Sequence, residues 1–167
     1  MDTFIARMIK AALLNKALYE EVEADRNAMV QALLVVVLSS IAGTIGHPQL
    51  TGLGEIIKGI LINLGIWFLW AAITLAIGTT ILKGPDTRSD MGEMLRTLGF
   101  ASAPGIIRVL GFIPLIGWLF HLVAGVWMLI AMVIAVRQAL DYHSTERAVA
   151  VCLIGFFPYI IIYWILF

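Results

Sequence analysis

Four nearly unbroken apolar blocks, Ala28 to Gly46, Gly59 to Leu82, Leu98 to Val136 and Ala148 to Phe167, fill most of this 167-residue chain. A soluble domain of this size leaves much of its surface in water, and that surface must carry charge. Here 61% of residues are hydrophobic, against about 45–50% apolar in ordinary globular proteins, and only 13% are charged. The first block, 19 residues from 28 to 46, would extend about 28 Å as a helix, close to the roughly 30 Å hydrocarbon core of a bilayer. The sequence therefore predicts an all-α polytopic integral membrane protein.

Punctuation along the chain divides the blocks. Gly46-His47-Pro48-Gln49 and Lys83-Gly84-Pro85-Asp86 bracket the second block, and Asp90 with Glu93 has the spacing of a capping box. The third block, 39 residues, would stretch about 58 Å, too long for one crossing. Gly111-Phe112-Ile113-Pro114 splits it, because proline cannot continue a helix interior. The expected spans are 28–46, 59–82, 94–110 (kinked near Pro104-Gly105), 115–136 and 148–167. These form a five-helix bundle within a single membrane domain, 1–167. Residues 3–23 read as one amphipathic helix lying in the membrane interface, with Phe4, Ile5, Met8, Ala12 and Tyr19 on one side and Arg7 and Lys10 pointing elsewhere. With Asp2, Arg7 and Lys10 among its apolar residues, the N-terminus has no clean apolar core and no small-residue cleavage site, which argues against a signal peptide.

Charge sets an orientation. Arg7, Lys10, Lys16, Arg26, Lys83, Arg88, Arg96, Arg137 and Arg147 fall on one side of a five-span arrangement, and Lys58 falls on the other. The positive-inside rule then predicts a cytoplasmic N-terminus and an external C-terminus. A competing arrangement makes 98–110 a re-entrant loop and moves Arg137 and Arg147 outside.

Chemistry-bearing residues are sparse. Net charge is zero, so no field points toward nucleic acid. The lone cysteine, Cys152, sits mid-span and reads as a small hydrophobe. The three histidines lack metal-ligand spacing, no nucleophile has a base partner and no phosphate loop is present. No cofactor or metal is expected. Asn63, Arg108 and His121 fall within about two turns of the outer ends of their spans. They form either a small polar pocket, for a lipid headgroup or an ion, or hydrogen bonds between helices with Arg108 snorkelling to the interface. Gly117, His121, Ala124, Met128, Ala131 and Ala135 make a small-residue stripe for helix packing, and Gly99 with Ala103 gives a second such contact beside Pro104 and Gly105. The acidic group Glu20, Glu21, Glu23 and Asp25 is the candidate partner-binding surface.

The acidic stretch Tyr19-Glu20-Glu21-Val22-Glu23-Ala24-Asp25, the apolar opening Gln31-Ala32-Leu33-Leu34-Val35-Val36 and the run Leu98-Gly99-Phe100-Ala101-Ser102-Ala103-Pro104-Gly105 follow in that order. In this order, with five expected spans, the chain resembles the bacterial branch of the Yip (Rab-interacting protein) domain family. The resemblance implies a five-span bundle with a cytoplasmic N-terminus in a bacterial inner membrane. Eukaryotic members act with Rab GTPases. The Tyr-Gly-Pro signature that those members carry ahead of their spans is missing here, so Rab-type GTPase binding does not carry over. The expected function is a non-enzymatic membrane scaffold, adaptor or accessory subunit, with membrane lipids and other membrane proteins as partners. The alternative is a small transporter, channel or lipid-handling protein using the Asn63–Arg108–His121 region.

Overall fold

The computed structural model describes residues 3–47, 49 and 52–166, without the side chains of 159, 162, 163, 165 and 166. Pro48 of the expected first loop and Phe167 of the expected fifth span lie outside the described residues. The chain forms helices α1 (Phe4–Ala12), α2 (Lys16–Ala24), α3 (Ala28–Ile45), α4 (Leu53–Thr80) and α5 (Met91–Phe100). A 3₁₀ segment (Ala103–Phe112), α6 (Gly117–Ala139) and α7 (Thr145–Leu166) follow, with no strand among the described residues.

Among the described residues three helices, α3, α4 and α6, are long and apolar enough to cross a membrane, where the sequence predicts five spans. The expected third span is not one kinked helix. Helical bonding closes at Ala101, whose N–H donates to Thr97 O (3.0 Å), and Pro104 lies in the first turn of the 3₁₀ segment, where its missing N–H leaves no bond unmade. The expected fifth span corresponds to α7, 22 residues with Glu146 in its first turn. The second begins earlier than expected: α4 runs 28 residues from Leu53, because Gly52 (φ 108) turns the chain directly into it. The capping box of α5 is formed, with Glu93 N donating to Asp90 Oδ1 (2.9 Å) and Asp90 N to Glu93 Oε2 (3.0 Å).

The N-terminal segment also departs from expectation. It is a helical hairpin, because Leu14 takes a left-handed backbone (φ 60) and Asn15 caps α2 by accepting from Leu18 N (3.4 Å). Arg7 does not face outward. It is 4% exposed, while Ile5, Ile9 and Leu13, spaced four apart, form the exposed stripe. The hairpin packs on α5, α6 and the 3₁₀ segment, and Trp127 Nε1 donates to Ala12 O (2.8 Å) beside the middle of α6.

α3 is the central helix. α5 and the 3₁₀ segment follow it in the same direction, with Gly92, Gly99, Gly105 and Gly111 set beside Met29, Ala32, Ser39 and Gly46 in turn. α6 packs on the other side of the 3₁₀ segment, and α7 bridges α4 and α6, which make no extensive contact with each other. On α6, Gly117, Ala124, Ala131 and Ala135 are buried, while Trp118, Leu122, Val126 and Leu129 are exposed. Small residues allow such helices to approach closely without a water-driven collapse.

Candidate functional site

Because α4 and α6 stay apart, a cavity of about 430 Å³ remains between them, floored by α3 and the α5–3₁₀ junction. Its wall is mostly apolar: Ile66, Trp67 and Trp70 from α4, Met128, Leu129 and Met132 from α6, Phe156 from α7. Polar groups gather toward the Gly46 end of the bundle, namely Ser39, Ser40, Asn63 and Arg108. Two of these donate a hydrogen bond within their own helices. Ser40 Oγ donates to Val36 O (2.7 Å) and Asn63 Nδ2 to Gly59 O (2.8 Å), which leaves their oxygens as acceptors.

Arg108 is placed differently from the snorkelling expectation. Its backbone carbonyl lies against Gly46 at the end of α3, yet its side chain turns back into the bundle over Gly43. Nε donates to Gly105 O (3.0 Å), and Nη2 donates to Ser39 O (3.0 Å) and Ser39 Oγ (2.9 Å). Over the seven residues from Gly46 to Ser39, a helix rises about 10 Å, so the cation is carried inward by that order of distance. Among the described residues it has no carboxylate partner.

His121 is not part of this cavity. Its Nε2 lies 3.2 Å from Gly46 O, and its ring stacks at 4.5 Å on His47 where α6 meets the end of α3. The structure therefore brings Asn63 and Arg108 to one cavity and leaves His121 as a packing group. The helix-packing candidates Gly99, Ala103, Pro104, Gly105, Gly117, Ala124 and Ala131 are all buried.

A second recess, about 840 Å³, opens at the opposite end of the bundle between α2, the α4–α5 loop and the α6–α7 loop. Glu20, Glu23, Asp86, Glu93 and Asp141 line it, with Arg88, Arg137 and His143. The acidic group of the sequence is split. Glu21 and Asp25 bind Arg7 at 2.7 and 2.9 Å and are turned to holding the hairpin, whereas Glu20 and Glu23 face the recess. Glu20 Oε1 also accepts from Gln138 (2.6 Å). Among the described residues no group of three or more His, Cys, Asp or Glu could hold a metal ion.

Two arginines passed over in the sequence hold this end together. Arg7 joins α1 to α2, and buried Arg96 donates to Val22 O (2.9 Å) and to Glu23 O, fixing α2 on α5. A signal was present for Arg96, the one cation in α5, whereas Arg7 shares α1 with Lys10 and nothing in the sequence sets it apart. Residues 16–166 match the Yip1 domain family. This chain belongs to the Yip1 domain family. The Yip1 match covers both recesses and every candidate site residue, and begins at the first residue of α2, so α1 and Arg7 precede it. No curated protein and no solved structure matches the chain.

In the recess of this Yip1-family protein, Glu23 is pushed up to about 7, first by burial and then by the carboxylates of Asp141, Glu93 and Glu20, with Arg96 opposing. The folded state thus holds a proton on Glu23 that the unfolded chain releases near the usual carboxylate value. Stability from this group is full at acid pH and falls as pH rises through about 7. Glu23 is only half-buried, so screening reduces the effect to about 1 kcal/mol. Glu23→Gln should raise the unfolding temperature in detergent at pH 8, with a smaller gain at pH 5. Equal gains at both pH values would show that the carboxylate is not strained.

Proposed function

We propose that this Yip1-family chain is a non-enzymatic scaffold, adaptor or accessory subunit in a bacterial inner membrane, docking partners through the recess that Glu20 and Glu23 line. The observation that carries this reading is the distribution of polar surface. At the Gly46 end His121 rests on Gly46 O and Arg108 turns inward over Gly43, while the opposite end presents an open, charged recess built from three separate segments. A five-traverse arrangement within one membrane domain fits the parallel course of α5 and the 3₁₀ segment beside α3, since together they cover the length of that helix. Arg26, Lys83, Arg88, Arg137 and Arg147 then lie at the recess end and Lys58 at the other, which supports a cytoplasmic recess, a cytoplasmic N-terminus and an external C-terminus.

The test is mild-detergent purification from native membranes of the wild type and of the Glu20→Gln/Glu23→Gln double variant. The wild type should retain a membrane-protein partner in a salt-sensitive way, and the folded variant should lose most of it. Orientation is read in the same membranes, in a Cys152→Ser background, by an impermeant thiol reagent. Gln49→Cys should react in intact cells, and Arg88→Cys only after permeabilisation. A wild type that repeatedly purifies alone, or labelling in the reverse pattern, overturns the proposal.

A further inference from the structure

The cavity between α4 and α6 would fill with acyl chain in any bilayer, since most of its wall is apolar. Arg108 makes it more than a packing gap. A cation near a helix end ordinarily snorkels outward to water and headgroups. Here the close fit of the Arg108 carbonyl against Gly46 leaves the side chain directed the other way, into the cavity. Three of its hydrogen bonds go to neutral oxygens, Gly105 O, Ser39 O and Ser39 Oγ. Nη1 donates to no group among the described residues, and it lies over Gly43, where an added β-carbon would come within 3.5 Å of it. An inward guanidinium with neutral partners and a free edge retains most of its desolvation penalty until an anion reaches it. Arginine recognises carboxylate and phosphate through that planar edge.

We propose that this cavity binds an anionic phospholipid, with the lipid phosphate on the free edge of Arg108 and one acyl chain along Trp67, Trp70 and Phe156. The charge selects the headgroup and the apolar wall selects the chain. The volume lies within the roughly 300–1,000 Å³ usual for small-molecule sites and suits one chain, while the gap between α4 and α6 lets the second chain remain in the bilayer. Nothing in this inference depends on the recess at the other end or on the adaptor reading.

Delipidated protein in detergent is titrated with short-chain phosphatidylglycerol, with short-chain phosphatidylcholine and with inorganic phosphate, and bound lipid is counted by native mass spectrometry. Both lipids bring a phosphodiester anion, but choline sets a second cation near Arg108, so phosphatidylglycerol should bind roughly tenfold tighter than phosphatidylcholine, and inorganic phosphate should not displace it. Arg108→Gln should abolish the headgroup preference. Should that variant fail to fold, Gly125→Leu provides a second route. Gly125 lines the cavity and a β-carbon there meets nothing within 4 Å, so leucine fills the space and leaves Arg108 untouched. Gly125→Leu should lose the bound lipid, and Gly65→Leu, also in open space but off the cavity wall, should keep it. Equal binding of both lipids, an equal response to inorganic phosphate alone, or undiminished binding in Gly125→Leu overturns the site.

Discussion

Gly46→Ala should be among the most damaging single-methyl additions in this protein. Gly46 has φ −67, a backbone that any residue adopts, so space alone decides the outcome. A β-carbon there would lie 1.8 Å from the carbonyl oxygen of Arg108 and 2.9 Å from its carbonyl carbon. Neither is the flexible end of a side chain, so α3 and the 3₁₀ segment must part. The His121 contact to Gly46 O, 3.2 Å, would move with them. Overpacking usually costs about 1–3 kcal/mol, and a backbone obstacle places this change near or above 3. For a chain of this length that is a drop in unfolding temperature on the order of 10 °C. Gly65→Ala is the matched control, since its β-carbon meets nothing within 4 Å and alanine favours the helix by roughly 0.5–1 kcal/mol. Thermal unfolding of both in one detergent decides the matter. Similar midpoints would mean that α3 and the 3₁₀ segment are not in the contact described.

That contact also marks the limit of what the sequence could show. The apolar blocks located α3, α4 and α6, because a run of such length has few places to go outside a bilayer, and Asp90 with Glu93 announced the start of α5. The 3₁₀ segment was harder to see. A period of 3.6 residues does not bring it out, because three residues per turn sets Gly105, Arg108 and Gly111 in line toward α3. The direction of Arg108 was illegible for a related reason. Snorkelling is the default for a long cation near a membrane surface, and only the tertiary approach of Gly46 reverses it. The break at Leu13-Leu14-Asn15 was concealed by two good helix formers, with Asn15 as the single capping signal. In the acidic cluster, four carboxylates in six residues look equivalent in sequence. Folding separates them, because Arg7 arrives from another helix and takes two.

Arg7→Met should detach the N-terminal hairpin. The guanidinium donates through Nε and Nη2 to Glu21 Oε1 (3.0 and 2.7 Å), through Nη2 to Asp25 Oδ2 (2.9 Å) and through Nη1 to Gln31 Oε1 (3.0 Å). One side chain of α1 thereby engages α2, the turn after it and α3. Removing it leaves Glu21 and Asp25 four residues apart with their charges uncompensated. Breaking a buried pair this way costs roughly 3–5 kcal/mol, and the lower end applies because Glu21 keeps 39% exposure. Arg7→Lys should recover only part of the loss, since an ammonium cannot reach three acceptors from one plane. The pH dependence identifies the cause. The hydrogen bond from Arg7 holds the Asp25 carboxyl below its usual range, so its stabilisation is present at neutral pH and disappears as pH falls through that lowered value. The wild type should lose hairpin protection, followed by proteolysis near Lys10 and Lys16, on acidification below about pH 4. Arg7→Met should already be cleaved there at pH 7 and should show little further change in acid. Wild-type resistance in Arg7→Met at pH 7 would mean that α1 is held by its apolar face alone, through Phe4 and Met8, with the buried charges stabilising nothing.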